Sequence, residues 1–125
     1  MTTVLIVEDD DRNRKLARDV LDAAGFRTLV AATGAEGIAL AREHRPDVIL
    51  VDLRLPDMGG AEAARALSDD ARTALIPIVA MSALSLEGSD DWLDASGFAG
   101  AIEKPISIQG FPDEVRRYCD GPSPS

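Results

Sequence analysis

The stretch DVILVDLRLPDMGG, residues 47–60, constrains this chain more than any other. Its apolar run Val48-Ile49-Leu50-Val51 ends on one carboxylate, Asp52, and Pro56, Asp57, Gly59 and Gly60 follow within eight residues. A short, β-branched apolar run bounded by turn residues reads as a strand buried on both faces, as in a parallel sheet. Asp52 then stands at the carboxyl end of that strand. In open α/β sheets the crevice outside the carboxyl ends is where ligands and chemistry are placed. Asp52 either stops the strand and caps a turn or is a reacting carboxylate, and the ends of the other strands decide between the two.

In chain order, strand-like runs alternate with amphipathic helical patterns. Val4-Leu5-Ile6-Val7 reads as a strand and stops at Glu8-Asp9-Asp10-Asp11. Over residues 12–24, Leu16, Ala17, Val20, Leu21 and Ala24 recur at helical spacing, and Gly25 closes that helix. Residues 26–31 form a weaker strand. Thr33 and Glu36 have the spacing of a capping box, and a small or apolar stripe continues the helix to His44, where Pro46 ends it. Beyond the Asp52 loop, residues 61–69 read as a helix packing through Ala63, Ala64 and Leu67. Residues 76–81 form a strand that tolerates Pro77 near its start and ends on Ser82. Residues 86–96 form a poor helix with Gly88, four acids and Trp92. A fifth strand covers residues 98–102, ahead of Lys104-Pro105. The last helix has its regular part at residues 112–119 with proline at N1. Residues 121–125 are a tail.

Five strands alternating with five helices imply right-handed βαβ units, hence one α/β domain over residues 1–120 with a five-stranded, doubly wound, flavodoxin-like parallel sheet. A chain of 125 residues buries a sizeable core without staples, and one cysteine, Cys119, permits no internal disulfide. No run approaches the length of a membrane span, and no secretory signal precedes the first strand. The expected location is the cytoplasm. With 22 acids against 13 bases the net charge is −9, which argues against a phosphate-backbone footprint and so against nucleic acid as a partner.

In the expected fold the ends of strands one, three, four and five adjoin, gathering Glu8, Asp9, Asp52, Ser82 and Lys104. Three neighbouring carboxylates repel one another unless a cation neutralises them. Oxygen ligands without His or Cys select a hard ion, Mg²⁺. An aspartate can also attack phosphorus to form an acyl phosphate, with Lys104 and Ser82 supplying charge and a hydrogen bond to the phosphoryl oxygens.

Residues 3–119, through the ordered segments VLIVEDD, ILVDLRLPDMGG, PIVAMSA and EKP, resemble the response-regulator receiver domain of bacterial two-component signalling. KPIS before the last helix is similar to single-domain regulators of the DivK type. The resemblance implies that Asp52 is the phosphoacceptor and that Glu8 and Asp9 are the metal-binding acid pair. It makes Ser82 and Lys104 the phosphoryl partners, and the backbone carbonyl of Arg54 the completion of the Mg²⁺ shell. It further implies a cis Lys104–Pro105 bond. Arg54 and Leu84, at the positions that influence phosphoryl lifetime, offer no group to orient water, so a long-lived phosphoryl group is expected. The usual aromatic switch position holds Ala101. The implied partners are a sensor histidine kinase or histidine phosphotransfer protein, with an unidentified downstream protein target. The regulator is expected to be a stand-alone monomer or a phosphorylation-dependent dimer that catalyses only its own phosphotransfer and slow dephosphorylation. A Mg²⁺-dependent aspartyl phosphatase and a phosphorylation-independent pseudo-receiver remain as alternatives. The first would need a second acid where Arg54 stands, and the intact acidic site speaks against the second.

Overall fold

The computed structural model describes residues 2–82, 97–103 and 108–119, the side chain of Glu103 excepted. The helix expected over residues 86–96 with its Trp92, Leu84, Lys104 with its bond to Pro105, and the tail 121–125 lie outside the described residues. Nine elements remain. They are β1 Thr3–Val7, α1 Asp11–Ala23, β2 Arg27–Ala31, α2 Gly34–His44, β3 Val48–Asp52, α3 Gly60–Ser68, β4 Ile78–Ser82, β5 Gly100–Glu103 and α4 Phe111–Cys119.

All strand pairs are parallel, in the order β2-β1-β3-β4-β5. Alternation along each strand sends side chains to opposite faces. Leu5, Val7, Ile49, Val51, Ile78 and Ala80 meet Ile38 and Ala41 of α2 and Ala63, Ala64 and Leu67 of α3. Val4, Ile6, Val48, Leu50, Val79 and Met81 meet Ala17 and Leu21 of α1 and Phe111 and Val115 of α4. Every residue of β3 and β4 is buried, as the unbroken apolar runs require. Among the described residues no helix is long and apolar enough to cross a membrane.

Element ends differ from the sequence expectation by one or two residues, for local reasons. Asp10 caps α1, accepting from Asn13 N–H at 2.9 Å, so the helix begins at Asp11 rather than Arg12. Gly25 follows with φ of +96°, the left-handed position a glycine terminator takes. Thr33 caps α2 by accepting from Glu36 N–H at 3.1 Å. That helix ends on Arg45, itself left-handed at φ of +46°, ahead of Pro46. Ile76 and Pro77 stand before β4 rather than within it: the Pro77 carbonyl accepts from Ile49 N–H at 3.0 Å, a bond that needs no N–H from proline. Phe98 likewise precedes β5 and is buried there. Pro112 is the second residue of α4, not the first, still in the turn whose N–H groups lack helical partners.

The connection after α3 is held by polar contacts rather than apolar ones. Thr73, fully buried, donates its hydroxyl to the Leu67 carbonyl at 2.6 Å, satisfying an orphan acceptor of α3. Asp70 accepts from Arg72 through Nη2 at 2.9 Å and through the backbone N–H at 2.8 Å, and it pairs with Arg42 of α2 at 2.7 Å. The Arg72 side chain first, then its N–H, hold the Asp70 carboxyl well below the usual carboxylate range. A carboxyl depressed by folding stabilises above its unfolded value of about 4 and loses that contribution as pH falls through the folded value. Asp70→Asn is therefore expected to lower Tm at pH 7. The gap from wild type should narrow as pH is lowered below about 4 in parallel thermal scans.

Candidate functional site

The reversal of winding between β1 and β3 sets the site. β1 leads through α1 to β2 on one side and β3 leads through α3 to β4 on the other, so the two connections run to opposite edges and leave a crevice beyond the carboxyl ends of β1 and β3. Val7 lies opposite Val51, which puts Glu8 and Asp52, the next residues along, at the same level. Glu8 N–H is bound to the Ala31 carbonyl at 3.0 Å and Leu53 N–H to the Met81 carbonyl at 3.1 Å. Both strand ends are thus fixed by their outer neighbours.

The acidic run after β1 divides by role. Glu8 is 1% exposed, whereas Asp9 is open to solvent. Asp10 caps α1, and Asp11 in its first turn pairs with Arg14, where a carboxylate is favoured by the helix dipole. Arg14 also reaches back, donating from Nη1 to the Glu8 carbonyl at 2.9 Å. Only Glu8 and Asp9 join Asp52. Ligand oxygens of these three residues lie within 4.8 Å of one another. Asp52 is 7% exposed and Ser82 6%, at the ends of β3 and β4, where little water screens their charges and dipoles.

The donor set is three carboxylates with no nitrogen or sulfur ligand, two of them shielded from water. This fits a hard divalent ion such as Mg²⁺, whose charge offsets a repulsion that burial amplifies. Arg54 presents its backbone here: its N–H donates to Asp52 Oδ1 at 2.9 Å, while its side chain is exposed. The structure thus brings together Glu8, Asp9 and Asp52, with the Arg54 main chain tied to them and Ser82 on the adjoining strand. Lys104, one residue beyond β5, lies outside the described residues.

Ala101 packs with the α2 and α3 face of the sheet, opposite Ala80. Met81, the next residue along β4, belongs to the opposite face. One participant escaped the sequence reading, which marked Asp57 only as a turn residue. Its Oδ2 accepts from Ala35 N–H at 2.9 Å and its Oδ1 from Gly34 N–H at 2.8 Å. These two bonds at the α2 N-terminus hold its carboxyl below the ordinary range. No short-range signal reports a cap supplied from 23 residues away.

Over residues 4–116 the sequence matches the response regulator receiver domain family. It is 40% identical over 116 residues to the polar-differentiation response regulator DivK of Brucella anthropi, covering 93% of this chain and 94% of that one. DivK of Brucella ovis is 39% identical over the same span. Among solved structures, the chemotaxis response regulator CheY4 of Vibrio cholerae superposes with a TM-score of 0.87 at 29% identity, covering 94% of this chain and 98% of its own. The receiver domain of a sensor histidine kinase from Pseudomonas aeruginosa PAO1, with magnesium coordinated in its active-site cleft, gives 0.85 at 27% identity. It covers 94% of this chain and 97% of its own.

The two glycines after Asp57 are not equivalent. A Cβ on Gly60 would stand 2.8 Å from Leu53 Cα and 2.9 Å from the Asp52 carbonyl, both backbone atoms, whereas one on Gly59 meets nothing. Gly60→Ala is expected to destabilise by about 1–3 kcal/mol in denaturant unfolding. Gly59→Ala, at the N-cap of α3, meets no such clash and should cost no more than about 1 kcal/mol in the same measurement.

Proposed function

This chain belongs to the response regulator receiver domain family, and from that premise we propose that it is a signalling regulator switched by phosphorylation of Asp52 in a Mg²⁺-dependent reaction. One observation carries the reading: Asp52 is buried at the end of β3, with its oxygens within 4.8 Å of those of Glu8 and Asp9. Glu8, Asp9, Asp52 and the Arg54 carbonyl would hold the ion. When bound, Mg²⁺ supplies the positive charge that lets an anionic phosphoryl group approach an anionic nucleophile.

The phosphoryl donor is a phosphohistidine on a sensor histidine kinase or a histidine phosphotransfer protein. A carboxylate oxygen of Asp52 attacks phosphorus in line with the P–N bond. That bond breaks, its electron pair stays on the imidazole nitrogen, which takes up a proton, and the new P–O bond leaves an acyl phosphate on Asp52. The Arg54 N–H on Asp52 Oδ1 fixes the rotation of the carboxylate, an orientation that costs nothing at the moment of reaction. The Ser82 hydroxyl and the Lys104 ammonium complete the phosphoryl contacts.

Output follows as contact with a second protein or onward phosphotransfer. The likeness to DivK, 40% identical over 93% of this chain and 94% of that one, supports this route. Ring exchange at residue 101 plays no part in it, because the methyl group of Ala101 has no rotamers. A phosphatase reading gains nothing from the site, since the residue two beyond Asp52 is an exposed arginine rather than an acid.

Acetyl phosphate with Mg²⁺ is expected to add one phosphoryl group to the wild-type protein, read by intact mass or on a phosphate-affinity gel. The group should be missing from Asp52→Asn and when EDTA replaces Mg²⁺. Label on Asp52→Asn would show that the nucleophile is misassigned.

A further inference from the structure

The loop between β3 and α3 is fastened at both ends. At its root, Arg54 N–H holds Asp52 Oδ1, an antiparallel bridge joins Arg54 to Gly59, and Gly60 N–H is bound to the Leu53 carbonyl at 3.1 Å. At its tip, Asp57 spans two N–H groups of α2, one per carboxylate oxygen. Met58 seats beside it on Gly34, where a Cβ would stand 2.5 Å from Met58 Cγ. The arms are drawn together, so a displacement of the tip is passed to the root.

We propose that Asp57 is a positioning residue for the acid site: its clasp on the α2 N-terminus holds residues 53–59 so that the Arg54 main chain keeps its place against Asp52. Besides satisfying the Gly34 and Ala35 N–H groups of α2, the clasp ties that helix to the loop. Thr33 already caps that helix through Glu36 N–H. Asp57 adds the link between α2 and the loop, and among the described residues no other hydrogen bond joins the loop tip to another element. The inference rests on the Mg²⁺ reading above, because the Arg54 carbonyl is the group whose position would be felt by the ion. Partners one shell behind metal ligands commonly set affinity by orienting them.

The test is calorimetric titration of Mg²⁺ into the full-length wild type, Asp57→Ala, Asp57→Asn and Thr33→Ala, with amide hydrogen exchange followed at Gly34, Ala35 and Arg54. Asp57→Ala is expected to weaken Mg²⁺ binding about tenfold and to speed exchange at Arg54 as well as at the α2 amides. Asp57→Asn keeps one acceptor oxygen, should fall between, and serves alone should the alanine variant fold poorly. Thr33→Ala removes a cap from the same helix without touching the loop. It should lower Tm with Mg²⁺ affinity unchanged. Wild-type affinity in both Asp57 variants overturns the proposal, as does an equal loss in Thr33→Ala, which would trace the effect to α2 stability. Failure of the wild type itself to bind Mg²⁺ removes the metal reading and this inference together, whereas wild-type binding indifferent to Asp57 removes the inference alone.

Discussion

The parallel pairing of β1 with β3 is the constraint from which the rest of the site follows. Two buried, β-branched strands run side by side in register, and both end one residue later on acids. Neither acid has freedom to retreat, because each strand end is hydrogen-bonded to its other neighbour. Glu8 and Asp52 are therefore held close to each other out of water, an arrangement that costs folding free energy unless the charge is answered. A chain that must bind a cation and present a nucleophile beside it gains a preorganised site.

The surrounding charges are arranged to leave those carboxylates where they are. In the run of four acids after β1, the third and fourth are absorbed by α1 as its cap and as the partner of Arg14. Arg14 then turns its guanidinium to the Glu8 carbonyl rather than to a site carboxylate. The loop after β3 follows the same division. Arg54 contributes its main chain to Asp52 while its side chain faces solvent, and Asp57 spends its charge on the helix dipole of α2. Gly60 lets that loop turn directly against the Asp52 carbonyl.

Ala101 bears on how such a site connects to the rest of the sheet. The two methyl groups of Ala80 and Ala101 face the α2 and α3 side together, a flat, small contact with no alternative rotamers. Among the described residues the acid cluster draws on β1, β3 and the loop that follows β3, with Ser82 of β4 on the adjoining strand. The clasp joins that loop to α2 through two hydrogen bonds, one per carboxylate oxygen of Asp57.

The sequence by itself determined the elements and the chemistry at their ends. Unbroken apolar runs read as strands buried on both faces, helical spacing marked Ala17, Leu21, Ala63, Ala64 and Leu67 as core, and all are buried. That was legible because periodicity and strand-end residues are properties of one element at a time. The acids at the ends of strands one and three were legible for the same reason, and the expectation that they converge came from the handedness of βαβ units. Only the tertiary structure decided the register that levels Glu8 with Asp52, the side of the sheet on which Met81 lies, and the place of Pro77 ahead of its strand. It alone distinguished Gly60, where a Cβ would press on backbone, from Gly59, where a Cβ would meet nothing. It alone gave Asp57 a partner 23 residues earlier in the chain. Each of these depends on which two distant segments meet, and a local pattern carries no information about the other segment until the fold has brought it there.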